Sequence, residues 1–529
     1  VHLEHDQAMR DAPRGAPDPT AELRKADAAA HRRAIADRLA TRFGDQWYEV
    51  PVGPERRASE READTLAAMA AGAGYIWAAQ LPRDVDAGRR GTIDLLVRTT
   101  AGYVPVLVVR HKVTDPGSGA RTAPLTDLAV VGGTPDQTRK IRPQPRDQLR
   151  LAHARRLLQA AGYADERTSL AGVVGMDGDV VVWHDLEAPT WPGGRTALAE
   201  YDSRFADRVA VATAAATGAP ALAEPSRVVE CRGCPWWPVC EDALVRARDV
   251  SLVVRGEDAG MLRAAGVTTV DDLALVDPDE LDVPLLVGMP AADAVGLARA
   301  WLADLAVVRR SEHVEVPRAD VEVDVDMESF GDAGAYLWGV LLSGVDIGEP
   351  RGYRAFATWD PLPTDDEARS FAEFWGWLSG VRRAAAERGL TFRAYCYNEL
   401  AENRWLLASV KRFGEHPGIP RRREVLQFIE SDQWVDLFGS VRDHFLCSHG
   451  KGLKTIAPVA GFSWRDPEAG GENSMRWYRD AVGMDGGVPD ERQRKRLLEY
   501  NEDDVLATAA LRRWMTSPAV NEIPYVGDL

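Results

Sequence analysis

The run Val321-Glu322-Val323-Asp324-Val325-Asp326 alternates apolar and acidic residues without a break, and no other stretch constrains the fold as tightly. Period-two alternation predicts a β-strand, because successive side chains of a strand point to opposite faces. The strand ends in Asp326-Met327-Glu328, so Asp326 and Glu328 share a face and project together. Two further pairs lie downstream. Asn398 and Glu402 follow the aromatic stretch Ala394-Tyr395-Cys396-Tyr397, and Tyr500 and Asp504 bound the segment Tyr500-Asn501-Glu502-Asp503-Asp504. Tyr500 is the only one of the 12 tyrosines with an aspartate four residues on. Residues i and i+4 are neighbours on a helix, which predicts that each of these pairs shares a helical face.

Asp326, Glu328, Glu402 and Asp504 offer four carboxylates from three segments, a ligand set suited to two divalent cations such as Mg²⁺ or Mn²⁺. Two ions about 3.5–4 Å apart activate water and steady the leaving oxygen of a phosphodiester. Tyr500, one turn before Asp504, is placed to position or deprotonate that water. The pattern points to a nuclease, with Asn398 as a substrate-binding residue. Each piece has a plainer reading. Acid-x-Glu also occurs at Asp185/Glu187, Asp320/Glu322, Asp365/Glu367 and Asp466/Glu468. Asn398 would serve as a helix N-cap, Tyr500 and Asp504 as a solvated helix face, and Asp436 as an N-cap or a support for a ligand. Three pairs in the required order, each beside an apolar or aromatic stretch, favour the site.

The order Asp-x-Glu, Asn-x-x-x-acid, Tyr-x-x-x-Asp resembles the DEDDy branch of RNase H-like 3′–5′ exonucleases, above all the YprB-type domains, over about residues 318–529. Gly452-Leu453-Lys454-Thr455-Ile456-Ala457 and Gly461-Phe462-Ser463-Trp464 resemble that family's linker between its second and third motifs. Glu402 departs from the pattern, since such exonucleases commonly carry Asp there.

A second constellation is Cys231-x2-Cys234-x5-Cys240 around Pro235-Trp236-Trp237-Pro238. Thiolates so spaced suit an iron–sulfur cluster or zinc, each of which takes four protein ligands. The triplet resembles the one that closes RecB-family nucleases of the PD-(D/E)XK superfamily around a [4Fe–4S] cluster. That resemblance covers about residues 1–245 and favours the cluster over zinc, yet no cysteine precedes Cys231. Gly91-Thr92-Ile93-Asp94 and Val109-Arg110-His111-Lys112 resemble its metal-binding segments, but position 110 is Arg where the family has a carboxylate. Asp94 and Lys112 remain as a degenerate site, and this domain is expected to be a DNA-binding or structural platform.

The fold expectation is therefore α/β in three parts: a degenerate restriction-endonuclease-like domain over 1–245, a helical connector over 246–317, and an RNase H-like mixed-sheet domain over 318–529. In the connector, Leu262–Thr269 resembles half of a helix-hairpin-helix, and Thr269-Val270-Asp271-Asp272 reads as a capping-box helix start. Eighty-one acidic against 64 basic residues give a net charge of −17, which argues against broad coating of DNA but does not exclude a nuclease, whose metals carry positive charge into an acidic pocket. No run approaches about 18 apolar residues, so no membrane span is expected. The polar start and unpaired cysteines read as cytoplasmic. The chain reads as a metal-dependent 3′–5′ exonuclease on nucleic acid, single-stranded DNA ahead of RNA. Lacking a Gly-x4-Gly-Lys loop, it would rely on a separate helicase for any ATP-driven step. The rival reading is a non-catalytic nucleic-acid-binding or helicase-adaptor protein with relic nuclease folds.

Overall fold

The computed structural model describes residues 1–16, 19–281, 283 and 289–529. The chain divides into two compact units, Val1–Glu224 with Gly233–Val239, and Pro225–Arg232 with Cys240–Leu529.

The first unit is built on an eight-stranded mixed sheet. At its centre Tyr75–Asp84, Arg89–Arg98 and Tyr103–Val108 form an antiparallel meander. The chain then crosses through helix Pro145–Ala160 to Leu170–Val174, parallel to Tyr103–Val108, since parallel neighbours require a crossover. Leu95 and Val97 face one layer, packed with Ile35, Ala36 and Leu39 of helix Pro19–Phe43. Leu96 faces the other, packed with Leu151, Leu157 and Leu158 of the crossover helix. The stretch 22–70 is less uniformly helical than its apolar spacing predicts. Trp47–Glu49 leaves the helical pattern to pair with Tyr75–Trp77 at the sheet edge.

Ahead of its mixed sheet the second unit carries helices Glu257–Ala264, Val270–Leu275 and Ala291–Leu302. Thr269 and Asp272 form the expected capping box, each side chain accepting the other's backbone N–H. There follow β1 (Val321–Ser329), β2 (Ala335–Gly344), β3 (Gly352–Ala357), α1 (Asp366–Glu387), β4 (Phe392–Cys396), α2 (Leu400–Phe413), α3 (Arg422–Ile429), β5 (Trp434–Asp436), α4 (Leu437–His444), α5 (Gly471–Val482) and α6 (Glu491–Met515). The sheet order is β3-β2-β1-β4-β5. β1, β2 and β3 are antiparallel neighbours, whereas β4 lies parallel to both β1 and β5, giving the mixed sheet expected for this region.

β1 is central and two-faced. Val321, Val323, Val325 and Met327 enter a core with Phe371, Phe374, Trp375 and Leu378 of α1 and Trp405 and Leu406 of α2. Each such side chain fully buried contributes about 1.5–3 kcal/mol. The opposite face carries Glu322, Asp324, Asp326 and Glu328, and α6 lies against it. That helix places Tyr500, Asp504, Thr508 and Arg512 at four-residue intervals, all buried. Arg512 joins the two elements: its guanidinium donates to Asp324 at 2.7 and 3.3 Å and to Glu322, and it stacks 4.2 Å from the Tyr395 ring centroid. Glu322 also takes Arg318 at 2.6 Å and the Tyr395 hydroxyl at 2.9 Å. Removing one partner of a buried ion pair leaves the other charge uncompensated, at a cost of about 3–5 kcal/mol. Arg512→Leu is therefore expected to lower unfolding stability by about that amount in urea titration, whereas Arg513→Leu, next along the helix and exposed, stays within about 0.5 kcal/mol of the parent.

Candidate metal centre

Asp326 and Glu328 leave the end of β1 on the face turned to α6, and Asp504 meets them from that helix. One carboxylate oxygen of each lies within 4.8 Å of the others, and among the described residues this is the one group of three acidic, histidine or cysteine side chains so gathered. The register of β1 and β2 shifts between Glu328 and Ser329. Such a bulge re-aims side chains at the end of a ladder.

Each carboxylate is held by neutral donors. Asn501 Nδ2 donates to Asp326 Oδ2 at 2.7 Å, while Asn501 Oδ1 accepts the Tyr353 hydroxyl at 2.8 Å. Ser474 Oγ donates to Glu328 at 2.9 Å, with the Tyr336 hydroxyl at 3.4 Å. Trp464 Nε1 donates to Asp504 Oδ1 at 2.6 Å. Gly339 of β2 stands opposite Asp326 in the ladder, and a Cβ there would come within 1.6 Å of Asn501 Oδ1. Only glycine leaves room for the amide that orients Asp326.

Glu402 stands outside the close trio but near enough for its charge to act on Asp326. It belongs to the buried stripe Glu402, Trp405, Leu406, Ser409 and Val410 of α2, and its Oε2 is buried with no hydrogen-bond partner among the described residues. Burial pushes the Glu402 carboxyl up to about 8, helped by Asp436 and Glu328. Burial and the Asp504 charge push Glu328 up to about 8 as well. Asp326 is raised well above the usual carboxylate range by burial and by Asp504, Glu328 and Glu402, and Asp504 is raised by burial. No ion pair joins a basic side chain to any of the four among the described residues. A buried set of carboxylates with an orphaned oxygen and no paired protein cation fits divalent metal ions.

Asn398 differs from the helical reading. It precedes α2, is exposed, and takes a left-handed backbone with φ of +69°. Its N–H donates to Asp436 Oδ1 at 2.8 Å, so it does not share a helical face with Glu402. Asp436 also accepts from Phe438 N at 2.9 Å and is the N-cap of α4. The basic run at the start of α6 is neutralised locally: Arg492 pairs with Asp490, Arg494 with Glu491, Lys495 with Glu499, and Arg496 with Asp466 and Glu468.

Residues 409–516 match the RNase_H_2 family of the RNase_H superfamily. The second unit carries an RNase H-like domain. The matched residues contain Tyr500 and Asp504, while Asp326, Glu328 and Glu402 lie before them. No curated protein and no solved structure matches the chain. RNase H-like nucleases cleave nucleic acid with divalent metals, and the trio Asp326, Glu328 and Asp504 suits such ions.

In the first unit Asp94 accepts the Val108 N–H at 2.9 Å and lies 3.9 Å from Arg32 Nε, and burial raises its carboxyl. Arg110 pairs with Asp27 at 3.1 Å. Lys112 is half-buried, and its carbonyl accepts from Gln144 Nε2 at 3.2 Å. Cys234 lies in the first unit and Cys231 and Cys240 in the second; none of the three forms a disulfide and all are half-buried, whereas Cys396 and Cys447 sit inside apolar clusters. No helix among the described residues is long and apolar enough to cross a membrane.

Between about pH 4.5 and 8 the metal-free folded chain holds protons on Glu328 and Glu402 that the unfolded chain releases, so its stability falls as pH rises through that window. The midpoint of thermal unfolding with chelator is expected to drop from pH 5 to pH 8. Mn²⁺ or Mg²⁺ at pH 8 should restore it, by about 2.7 kcal/mol at a hundredfold excess over Kd. A midpoint unchanged by pH and by metal would count against the site.

Proposed function

We propose that the RNase H-like domain, taken as residues 318–529, is a metal-dependent 3′–5′ exonuclease for single-stranded DNA ends, hydrolysing the terminal phosphodiester. The observation that carries this reading is the convergent trio Asp326, Glu328 and Asp504, the last two buried and Asp326 half-buried, with no protein cation paired to any of them among the described residues. Asp326, Glu328, Asp504 and Glu402 would hold the ions. Bound divalent cations would supply an activated water and charge stabilisation at the leaving oxygen.

The chain's own residues do the rest. Asn501 fixes the rotamer of Asp326, Ser474 and Tyr336 that of Glu328, and Trp464 that of Asp504. Tyr500, one helical turn before Asp504, directs its hydroxyl into the site and orients the attacking water. Asn398, exposed between β4 and α2, would contact the nucleic-acid strand. A recessed site receives one strand end rather than a duplex, and the resemblance of residues 1–245 to RecB-type nucleases favours DNA over RNA.

In this proposal residues 1–245 are a catalytically degenerate platform. The pairing of Arg110 with Asp27 and the closeness of Arg32 to Asp94 support that, since both put protein cations where a metal would need carboxylates. Residues 246–317 connect the two domains, and a separate helicase would deliver the strand. Cys231, Cys234 and Cys240 are assigned to an iron–sulfur cluster ahead of zinc. They are one ligand short, the buried Cys396 and Cys447 do not supply it, and no catalytic step runs through them. Iron and acid-labile sulfide in near-equal amounts in anaerobically purified protein support the cluster; zinc alone, or no metal, excludes it.

The deciding experiment uses 5′-labelled single-stranded DNA and RNA with Mg²⁺ or Mn²⁺. The expected result is a ladder shortening from the 3′ end, abolished by chelator and reduced at least about 10³-fold in Asp504→Ala. Metal-dependent binding without cleavage, or cleavage indifferent to Asp504→Ala, would move the assignment to a binding or adaptor protein.

A further inference from the structure

Among the described residues, Lys454 is the one basic side chain that bonds directly to a group of the site. Its Nζ donates to Tyr500 Oη at 2.9 Å and lies 4.4 Å from the centroid of the Tyr500 ring and 5.8 Å from that of Trp464. Trp464 in turn donates to Asp504. The ammonium thus sits in a corner made by two aromatic side chains, both hydrogen-bonded to Asp504 of the trio. Its charge acts on Asp326, Glu328 and Asp504, yet it forms no ion pair with any of them among the described residues. A lysine on a flexible four-carbon stem with several carboxylates nearby would ordinarily close on one of them. Here it closes on a phenol.

The backbone explains why that position is kept. Lys454 stands in the short helix Leu453–Ile456, and the next turn carries Ile456 and Ala457, both fully buried. The Tyr397 hydroxyl donates to the carbonyl of Lys451 just before it. The segment is therefore anchored on both sides of Lys454, while the side chain itself is exposed and held by the two rings.

We propose that Lys454 is a positioning residue for Tyr500. A hydroxyl has one proton and accepts at its oxygen. With an ammonium proton on Oη, the lone pair facing Lys454 is occupied and the phenol's own proton is turned toward the carboxylates and the water between them. Lys454 fixes the rotation of the Tyr500 hydroxyl, and the cation–π contact fixes the ring. Without the lysine, only the bond to Asp504 orients the hydroxyl, its oxygen loses the donor that fixes the lone pairs, and the water it orients loses its line of attack. This inference rests on the exonuclease reading above.

A double-mutant cycle tests it, with single-turnover kcat and KM measured for the full chain, Lys454→Met, Lys454→Arg, Tyr500→Phe and Lys454→Met/Tyr500→Phe. Lys454→Met is expected to lower kcat about 10–100-fold with KM little changed, the scale of a misplaced reacting group. Lys454→Arg should recover much of that loss, since a guanidinium also donates to the phenol. In the Tyr500→Phe background the lysine substitution should cost nothing further, because the oxygen it holds is gone. Equal thermal midpoints across the set separate positioning from folding. Losses that multiply in the double variant would mean that Lys454 acts on the substrate independently of Tyr500, and would overturn the proposal. So would a Lys454→Met enzyme within twofold of the parent while Asp504→Ala is dead, which spares the exonuclease reading. Absence of metal-dependent cleavage by the parent chain overturns both.

Discussion

Four carboxylates on one face of a single strand would repel one another and the interior around them, and the second unit is arranged around answering that charge. Glu322 and Asp324 are answered by Arg512, which is itself fully buried, with Arg318 and Tyr395 completing the shell. Asp326 and Glu328, two and four residues further on, receive only neutral donors. The strand is thus half compensated by basic side chains and half left without one among the described residues. Helix α6 serves both halves, with Arg512 at one end of its buried polar stripe and Tyr500, Asn501 and Asp504 at the other. A buried ion pair adds little net stability over an apolar contact of the same shape. Its value here is that it ties α6 to β1 in one register, so that Asp504 arrives beside Asp326 and Glu328.

Burial does the electrostatic work at the open end. Water would hold all four acids near their ordinary values, but the domain interior and their mutual repulsion drive Asp326, Glu328, Glu402 and Asp504 upward together. Sites whose carboxyls are raised in concert bind cations that remove the penalty. The close trio does not include Glu402, whose longer side chain rises from α2 on the other side of β1. A glutamate where the resembled motif commonly has aspartate is matched by an extra methylene of reach and by a carboxyl oxygen with no hydrogen-bond partner among the described residues.

Much of this was legible in the sequence because it depended on short-range periodicity. The alternation of Val321–Asp326 gives a strand, the four-residue spacing of Tyr500 and Asp504 gives a helical face, and the order of the motifs brings the trio together. What was not legible is what depends on contacts far apart in sequence. Asp320/Glu322 looked like background because the acid-x-Glu spacing carries no sign of Arg512, 190 residues away from Glu322. Asn501 lay in plain view between Tyr500 and Asp504, but its role appears only with Gly339 opposite Asp326. The helical pairing of Asn398 with Glu402 failed because the chain turns through a left-handed residue there, held by Asp436 from β5. At Arg492–Arg496 the run of bases shows nothing of its partners, yet Arg492, Arg494, Lys495 and Arg496 each meet a nearby acid.

The two-faced pattern of β1 has a consequence for how the chain finds its fold. A slip of one residue against β2 would turn the valines to α6 and the acids into the core, and is excluded outright. A slip of two would preserve the alternation, since Val-Glu-Val-Asp-Val-Asp looks much the same to an apolar core after each step. Hydrophobic burial therefore cannot choose between neighbouring even registers. Gly339 can, because its missing side chain admits Asn501 beside Asp326 alone, and so can Gly344 opposite Val321, where a Cβ would come within 2.1 Å of the Asp320 carbonyl oxygen. The correct pairing of the sheet and the assembly of the carboxylate trio are one selection event, so a chain folded two residues out of register would keep its core and lose the trio.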